Sequence, residues 1–541
     1  MRIRHRWIRK AVKPSLIAVA CFALLGAGRE DSDDQPIPLT VPKAVCGPND
    51  HPETALQGQV PAAMRAAGFK GFNCNLQLLG QSRGNGANWQ TTQFKQRLHD
   101  GSDNEDEGRG EERGHKFSRV CGYHGTASPA LSAPGRTQFG VPVLDVTDPR
   151  NPTPTAYLTT SSMLDPWESL KVNERRQLLG ADNGQNGGGG PEIDIYDISQ
   201  DCSHPQLITS VAVGKPDGST GIPKPVIGHE GSWAPDGLTY YGGDLRNQQY
   251  YAVDTTDASA PKLLATWKPG FANVHGLSIR DDGNRGYFVS LDGGVDLINP
   301  AVPATNGLMI YDLSEIQARK PNPQAKLVSK LFWKDGSGAQ HTIPVKIKGN
   351  PYIIHVDEAG SGGFSSAAQI ARACAAKMPP FPMARLIDIS DEKNPVIVSR
   401  VMLETHDPAN CDKVTPDLVG LSIFTYGSHY CSVDNKHNAT TLACGYFNSG
   451  IRVFDIRDAR RPKEIAYYNP AGTTTISSGS NHPLGNNWRA GGPDWCSAQV
   501  HLDANNGTLW TTCQDNGVLA LKFREGVWPF PESSTPPGQQ N

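Results

Sequence analysis

The stretch VPVLDVTDPRNPTPTAYL, residues 141–158, carries the pattern that decides the fold. A short run of β-branched and apolar residues ends in an aspartate, a polar turn leads to a proline, and a second alternating run follows. This order is typical of a β-hairpin. The pattern recurs in five more stretches, at residues 193–211, 250–267, 307–328, 384–401 and 450–468. Its repetition predicts a fold assembled from copies of one supersecondary unit.

Every copy places an aspartate at the end of its first strand. These residues are Asp145, Asp197, Asp254, Asp312, Asp388 and Asp455. A carboxylate at this position accepts hydrogen bonds from the backbone N–H groups of the turn that follows. We therefore predict a structural role for all six.

A second hairpin precedes most copies, as in HEGSWAPDGLTYYGG at residues 229–243. Two hairpins supply four antiparallel strands, which is the content of one propeller blade. A seventh unit at residues 495–523 lacks its fourth strand, and NLQLLGQ at residues 75–81 resembles the strand that is missing. We predict an all-β, seven-bladed β-propeller with four antiparallel strands per blade. The N-terminal strand closes the ring, and closure removes exposed sheet edges.

The composition agrees with a β-rich globular protein. The 541 residues include 57 Gly and 42 Pro, an excess of turn-forming residues that excludes a helical bundle. The formal charge of −3 gives no electrostatic basis for binding nucleic acid. We predict a signal peptide at residues 1–28, an N-terminal extension at 29–72, the propeller at 73–527 with a charged loop insertion at 100–114, and a flexible tail at 528–541.

The first 28 residues predict export. They hold six Lys and Arg residues and no acid, followed by the apolar run LIAVACFALL and the small residues GAG. This order is typical of a secretory signal peptide, and the apolar run is too short to span a bilayer. We expect a periplasmic or secreted monomer with no membrane span. Cys21 offers the alternative of a lipoprotein anchor, which Ala18 disfavours.

Ten cysteines remain after residue 28, an even number that predicts up to five disulfides in an oxidising compartment. Cys431 and Cys444 flank one predicted turn, and Cys496 and Cys513 flank another, so each pair is expected to bridge neighbouring strands. No CxxC motif is present, which disfavours a zinc site built from cysteines.

The repeats resemble those of the secreted bacterial LVIVD-repeat proteins. The resemblance rests on the strands IDIYD, RLIDI and IRVFD and on connecting stretches such as DPWESLKVNERR and GHEGSWAPDG. It covers the chain from about Cys74 onward. It implies a seven-bladed β-propeller and very little about activity, because one fold supports many functions.

One position in the first strand of successive blades is occupied by histidine. His229, His275 and His341 each precede a turn glycine by eight residues, and His429 occupies the same position in the following blade. Glu168 takes this position in the preceding blade. Because the first strands line the central channel, the histidines are expected to form a ring at one mouth of that channel.

A ring of four imidazoles predicts a metal site made of His229, His275, His341 and His429. Neutral imidazole ligands with few carboxylates favour iron or copper. Glu168, Glu230 and Gln90, which aligns with Glu168, are expected to orient the imidazoles from outside the ring. The alternative is that each histidine hydrogen-bonds the next blade's backbone and was copied along with the repeat.

Two functions follow from these alternatives. The first is an exported iron or copper oxidoreductase or dioxygenase that acts on a small-molecule substrate. The second is a non-catalytic binding scaffold for an extracytoplasmic protein or glycan partner. Nucleotide chemistry has no support, because the chain contains no phosphate-binding loop.

Overall fold

A computed structural model describes residues 39–97, 117–130, 132, 136–184, 192–212, 228–294, 298–364, 366–421, 423–481 and 492–531. Within these residues the chain forms seven antiparallel sheets arranged as the blades of a β-propeller. The predicted fold class is confirmed. The signal peptide, Cys21 and the charged insertion at 100–114 lie outside the described residues.

The strands are numbered in chain order, and each blade runs from the channel outward. Two short strands, β1 (Phe72–Cys74) and β2 (Leu76–Ser82), precede the first blade. Blade 1 contains β3 (Thr91–Arg97), β4 (Phe117–His124), β5 (Val141–Asp145) and β6 (Thr153–Leu158). Blade 2 contains β7 (Lys171–Asn173), β8 (Leu178–Asp182), β9 (Ile193–Asp197) and β10 (Gln206–Val211). Blade 3 contains β11 (Glu230–Trp233), β12 (Thr239–Asp244), β13 (Gln249–Asp254) and β14 (Lys262–Trp267).

The remaining blades follow the same order. Blade 4 contains β15 (Leu277–Ile279), β16 (Arg285–Ser290), β17 (Asn306–Asp312) and β18 (Lys326–Trp333). Blade 5 contains β19 (Ser337–Ile347), β20 (Asn350–Ala359), β21 (Ala384–Asp388) and β22 (Val396–Val401). Blade 6 contains β23 (Cys431–Val433), β24 (Thr441–Gly445), β25 (Ile451–Asp455) and β26 (Lys463–Asn469). Blade 7 contains β27 (His501–Asp503), β28 (Thr508–Cys513) and β29 (Gly517–Phe523).

The ring closes through the N-terminal strand, as predicted. β2 pairs with β29 and supplies the outer strand of blade 7. The structure adds a feature that the sequence did not predict: β1 pairs with β26 and gives blade 6 a fifth strand. Asn75 lies between β1 and β2 with a left-handed φ of 59°, so the chain turns there from one blade edge to the next. Its side-chain amide donates to the Ile465 carbonyl at 2.8 Å.

The six repeated aspartates make the predicted turn contact in every blade from 1 to 6. In each case one carboxylate oxygen accepts the backbone N–H two residues later, at distances between 2.7 and 3.0 Å. The contact holds each turn between the third and fourth strands of its blade. The predicted structural role is confirmed.

Apolar side chains pack between adjacent blades. Ile354 and Leu386 of blade 5 share one buried cluster with Leu442 and Phe454 of blade 6. Equivalent clusters join blades 1 and 2 and blades 3 and 4. The core is therefore a series of interfaces between blades, and the blades' inner strands are left to line the channel.

Five disulfides join the ten cysteines of the described residues. Cys431–Cys444 and Cys496–Cys513 form as predicted, the first of them across the paired strands β23 and β24. The other three pairs are Cys46–Cys74, Cys121–Cys202 and Cys374–Cys411. Disulfides in this number are typical of proteins in oxidising compartments.

The helices are short. They are α1 (Ala62–Ala66), α2 (Ser161–Leu164), α3 (Ser314–Gln317), α4 (Ala367–Ala375) and α5 (Cys411–Val414), with 3-10 turns at Glu404–His406, Pro408–Asn410 and Thr415–Leu418. Over the described ranges, none of them combines the length and the apolar character that crossing a membrane requires.

The described residues include the first part of the predicted tail, residues 528–531. Trp528 is buried against Phe523, and the Arg457 guanidinium lies over the Phe530 ring at 3.7 Å. The chain therefore remains packed through Phe530. These aromatic side chains bury enough apolar surface to hold the segment against blades 6 and 7.

Candidate functional site

Three of the four predicted histidines converge on Glu168 inside the channel. The Nε2 atoms of His229 and His275 lie 2.9 Å apart. Glu168 Oε2 lies 3.5 Å from the first of these atoms and 3.4 Å from the second. Glu168 Oε1 lies 3.1 Å from Nε2 of His429. We call Glu168, His229, His275 and His429 the channel cluster.

The inner strands position these side chains. Each cluster residue comes one to three positions before its blade's first strand, at β7, β11, β15 and β23. At these positions the chain reaches the channel wall, and the side chains of several blades point toward the channel axis. All four side chains are almost fully buried. The sequence predicted a ring at the channel mouth, and in the structure the ring lies beneath covering side chains.

Hydrogen bonds at Nδ1 fix the orientation of two of the imidazoles. His275 Nδ1–H donates to the Gln340 carbonyl at 3.0 Å, and Glu230 Oε2 lies 3.2 Å from the same nitrogen. His429 Nδ1–H donates to the Ser497 carbonyl at 2.8 Å. These bonds leave the Nε2 atoms facing the centre of the cluster, which is how ligand histidines are oriented in metal sites. Glu230 thus lies where an orienting partner was expected.

The ionisable groups of the channel cluster shift one another's pKa values. Burial opposes ionisation of Glu168, but the hydrogen bond from His429 and the charges of the other two histidines outweigh it and lower the Glu168 pKa to about 2. Burial also opposes charge on His275 and His429, yet the nearby carboxylates raise their pKa values to about 9 and about 10. Burial and the His275 charge lower the pKa of His229 to about 3.

His341 does not join the cluster. Its Nδ1 contacts the Gln340 side chain, its Nε2 accepts the Cys431 N–H at 3.4 Å, and its ring stacks on Tyr430. The β19–β20 register shifts between Ala339 and His341, so the strand bulges at this point. A bulge re-aims the side chains that follow it. His341 therefore lies apart from the other three histidines of the predicted set.

Glu358 on β20 faces the cluster in place of His341. Its Oε1 lies 3.8 Å from His275 Nε2, and its Oε2 lies 3.6 Å from His429 Nε2. Glu358 was not predicted, because it belongs to the second strand of its blade and not to the repeated inner position. The sequence signal available was a carboxylate in HVDEAG, at the end of a buried strand.

Gln90 does not orient a cluster imidazole. Its Oε1 accepts the Leu170 backbone N–H at 2.7 Å, and its Nε2 finds no acceptor among the described residues. The side chain therefore ties blade 1 to the backbone of blade 2. Its neighbour Trp89 contacts His429 instead, with the two ring centroids 5.5 Å apart.

Aromatic side chains cover the channel cluster on one side. The set comprises Trp89, Trp167, Phe424, Phe447 and Trp495, which we call the aromatic cap. The Trp167 ring lies 5.7 Å from His229, and the Phe447 ring lies 5.0 Å from His429. Such a cap excludes water from the imidazoles. The aligned pairs Trp89-Gln90 and Trp167-Glu168 were the sequence signal for the aromatic cap.

Three residues of the aromatic cap have left-handed backbone. Trp167, Phe424 and Phe447 have φ values of 46°, 54° and 40°. Bulky side chains rarely adopt this conformation, which costs on the order of 1–3 kcal/mol per residue. Backbone strain of this kind clusters at functional sites, and here it lies directly over the channel cluster.

A cavity of about 1090 Å³ occupies the channel on the other side of the cluster. Lys171, Glu230, His341 and Tyr430 line its inner end, and turn residues such as Asp281 and Lys436 line its outer end. Glu230 contacts both the cavity and His275, so the cavity ends one side chain away from the cluster. The volume suits a small molecule, and the lining mixes charged, hydroxyl and aromatic groups.

The donor set fits a transition metal ion. Ligands about 2.1 Å from one octahedral ion lie about 3.0 Å apart when they are adjacent. Glu168 Oε2 and the Nε2 atoms of His229 and His275 lie 2.9 to 3.5 Å apart, which approaches that spacing, whereas His429 Nε2 lies 3.1 Å from the other Glu168 oxygen. The buried Oε2 of Glu168 has no hydrogen-bond partner among the described residues.

Known proteins resemble this chain only distantly. No family model and no curated protein matches the chain. A "putative 6-phosphogluconolactonase" of known structure from Bacteroides uniformis is similar at a TM-score of 0.46 and 10% identity, covering 76% of this chain and 93% of that chain. A protein of known structure from Lactobacillus plantarum is similar at a TM-score of 0.43 and 11% identity, covering 72% and 87%. The resemblance to LVIVD-repeat proteins stays a prediction.

Proposed function

We propose that this protein is an exported metal-dependent oxidoreductase that holds one transition metal ion in the channel cluster. The grouping of Glu168, His229 and His275, whose ligand atoms all lie within 4.8 Å of one another, carries the proposal. His275 and His429 donate their Nδ1–H groups to backbone carbonyls, so their Nε2 atoms face the cluster, and a metal would bind there in exchange for the Nε2 protons.

Iron is the metal that suits this donor set best. Imidazoles accept iron, copper, zinc and nickel, whereas histidines combined with a carboxylate are typical of non-haem iron sites in oxygenases. Four histidine ligands, as predicted from the sequence, would suit iron and copper equally well. The channel cluster contains the Glu168 carboxylate and lacks His341, and this donor set favours iron over copper.

The surrounding residues suit oxidation of a small molecule. When bound, iron supplies redox chemistry between dioxygen and an organic substrate. The aromatic cap keeps water from the imidazoles, and the cavity gives a substrate room beside Lys171 and Tyr430. Glu230 holds the His275 ring in one orientation.

Metal content tests the proposal directly. We expect protein exported and purified without a histidine tag to contain about one iron per chain by elemental analysis. His275→Gln should lose this metal. His501→Ala should keep it, because His501 lies on the inner strand β27 but stacks on Trp510 outside the cluster. Circular dichroism of each variant checks that the propeller remains folded.

A wild-type chain that stays metal-free after reconstitution with Fe²⁺, Cu²⁺ and Mn²⁺ would contradict the proposal. The cluster would then be a buried proton-sharing network with a packing role. The binding scaffold would become the better description of the protein.

A further inference from the structure

Lys171 is an exception at one repeated position of the channel wall. Three residues after the position of the channel cluster, blades 3, 4 and 6 carry a serine, whereas blade 2 carries Lys171. The serines are Ser232, Ser278 and Ser432, and all four residues line the large cavity. The repeat therefore places short hydroxyl groups on the wall, and blade 2 replaces the hydroxyl with a long cationic side chain.

The Lys171 side chain crosses the channel. Its backbone carbonyl accepts the Trp233 Nε1–H at 3.0 Å, which holds the start of β7 in place. Its Nζ atom lies 5.5 Å from the centroid of the Tyr430 ring, and Tyr430 comes directly before β23 of blade 6. Blades 2 and 6 are not neighbours in the ring. The side chain therefore extends from one wall toward another, and its ammonium group lies at the inner end of the cavity.

The ammonium group has few partners within the protein. It donates one long hydrogen bond, to the Glu168 carbonyl at 3.4 Å, although it carries three N–H groups. Within the described part of the chain, no carboxylate forms an ion pair with it. Glu230 and Glu168 act on it from farther away, and their carboxylates lie closer to His275 and His429. Burial therefore lowers the pKa of Lys171, and the two carboxylates offset this only in part.

We infer that Lys171 binds the carboxylate of a small organic monoanion in the cavity; the inference rests on the proposed function for the identity of this anion as the substrate. A half-buried ammonium group with unused donors gains charge-assisted hydrogen bonds from a carboxylate. Glu230 borders the same end of the cavity, and its negative charge disfavours a dianion such as a phosphate monoester.

The rest of the cavity suits such a molecule. Ser232 and Ser432 line the wall and offer hydroxyl groups to further polar atoms of the ligand. The aromatic cap covers the opposite side of the channel cluster, so the ligand enters from the side of the turn residues Asp281 and Lys436. Because Glu230 contacts both the cavity and His275, the bound carboxylate would lie about one side chain away from the channel cluster.

Binding of carboxylates and of their neutral amides tests the inference. Isothermal titration calorimetry of the metal-loaded protein compares acetate, lactate and benzoate with acetamide, lactamide and benzamide. We expect at least one carboxylate to bind about 10- to 100-fold more tightly than its amide, because only the carboxylate forms charge-assisted hydrogen bonds. Lys171→Met should reduce the affinity for this carboxylate to that of the amide. Lys171→Arg keeps the charge and should retain part of the affinity.

Arg175→Met is the matched control, because Arg175 is an exposed residue of the same blade that lines the same cavity. It should leave the carboxylate affinity almost unchanged, and circular dichroism checks that each variant is folded. A wild type that binds no carboxylate more tightly than its amide overturns the inference. A Lys171→Met protein with the wild-type affinity overturns it as well.

The same titrations on protein depleted of metal separate this inference from the proposed function. Carboxylate binding that requires Lys171 both with and without metal supports the inference. Binding that disappears with the metal but survives Lys171→Met shows that the carboxylate binds the ion itself, which overturns the inference and supports the metal centre. A chain that binds the carboxylate through Lys171 but takes up no metal supports the anion site and overturns the proposed oxidoreductase.

Discussion

The outer turns and the channel cluster both arise from repeated residues, and their copies behave differently. Each repeated aspartate makes the same contact in its own blade, such as Asp388 with the Ser390 N–H. At the repeated inner position the copies make unlike contacts. Glu168 meets three histidines, His275 is held by Glu230 and Gln340, and His341 leaves the group.

The difference lies in the number of neighbours that each position meets. A turn aspartate needs only the backbone of its own hairpin, so every copy repeats the contact. A residue on the channel wall meets the copies from other blades, and identical side chains there compete for the same space. A repeated residue that makes the same contact in every blade therefore has a structural role. A repeated residue whose copies meet one another across the channel belongs to a candidate site.

Removal of the Glu168 carboxylate should give the largest loss of stability. Glu168→Gln keeps the shape of the side chain but leaves the protonated His275 and His429 with one fewer buried counter-charge. We expect about 3–5 kcal/mol lower stability for the metal-free protein at pH 7 by urea unfolding. Glu174→Gln, at an exposed turn position in the same blade, should change little. Equal effects of the two substitutions would remove the distinction between the cluster and the surface.

His406 lies outside the channel cluster, and its contribution to stability should depend on pH. His406 donates through Nε2 to the Tyr426 carbonyl, and burial together with the Arg452 charge lowers its pKa to about 3. The folded protein keeps it neutral, whereas the unfolded chain binds a proton below about pH 6.5. Its contribution to stability is therefore present at neutral pH and is lost as the pH falls.

We expect the stability difference between wild type and His406→Asn to shrink by about 1.4 kcal/mol per pH unit below about pH 6. Urea unfolding of both proteins between pH 7 and pH 4 measures this difference. A constant difference across that range would show that His406 is protonated in the folded state too.

The turn aspartates should give the smallest and most uniform effects. Asp197→Ala and Asp388→Ala each remove one hydrogen bond to a turn N–H, with Ser199 and Ser390 respectively. We expect each to lower stability by about 1 kcal/mol, and Asp→Asn at either position to cost less, since the amide oxygen still accepts. Thermal unfolding compares the four variants. Widely different losses at the two positions would mean that the copies are not equivalent.

Much of the fold could be predicted because it depends on local patterns. The hairpin runs, the turn aspartates and the strand at residues 75–81 each specify a structure within one blade or at one edge. The Cys431–Cys444 and Cys496–Cys513 bridges followed from turns in the same way. The fifth strand of blade 6 escaped prediction, because β1 has three residues and its partner β26 lies almost 400 residues away.

The sequence by itself determined the propeller, its closure and a repeated inner position that holds three of the cluster's four side chains as histidine. Only the tertiary structure decided which side chains meet. A one-residue bulge at Gln340 turns His341 away and admits Glu358, and loops between blades bring the aromatic cap over the cluster. The physical reason is that periodicity fixes the side of a strand on which a residue lies, whereas contacts across the channel depend on small register shifts in several blades at once.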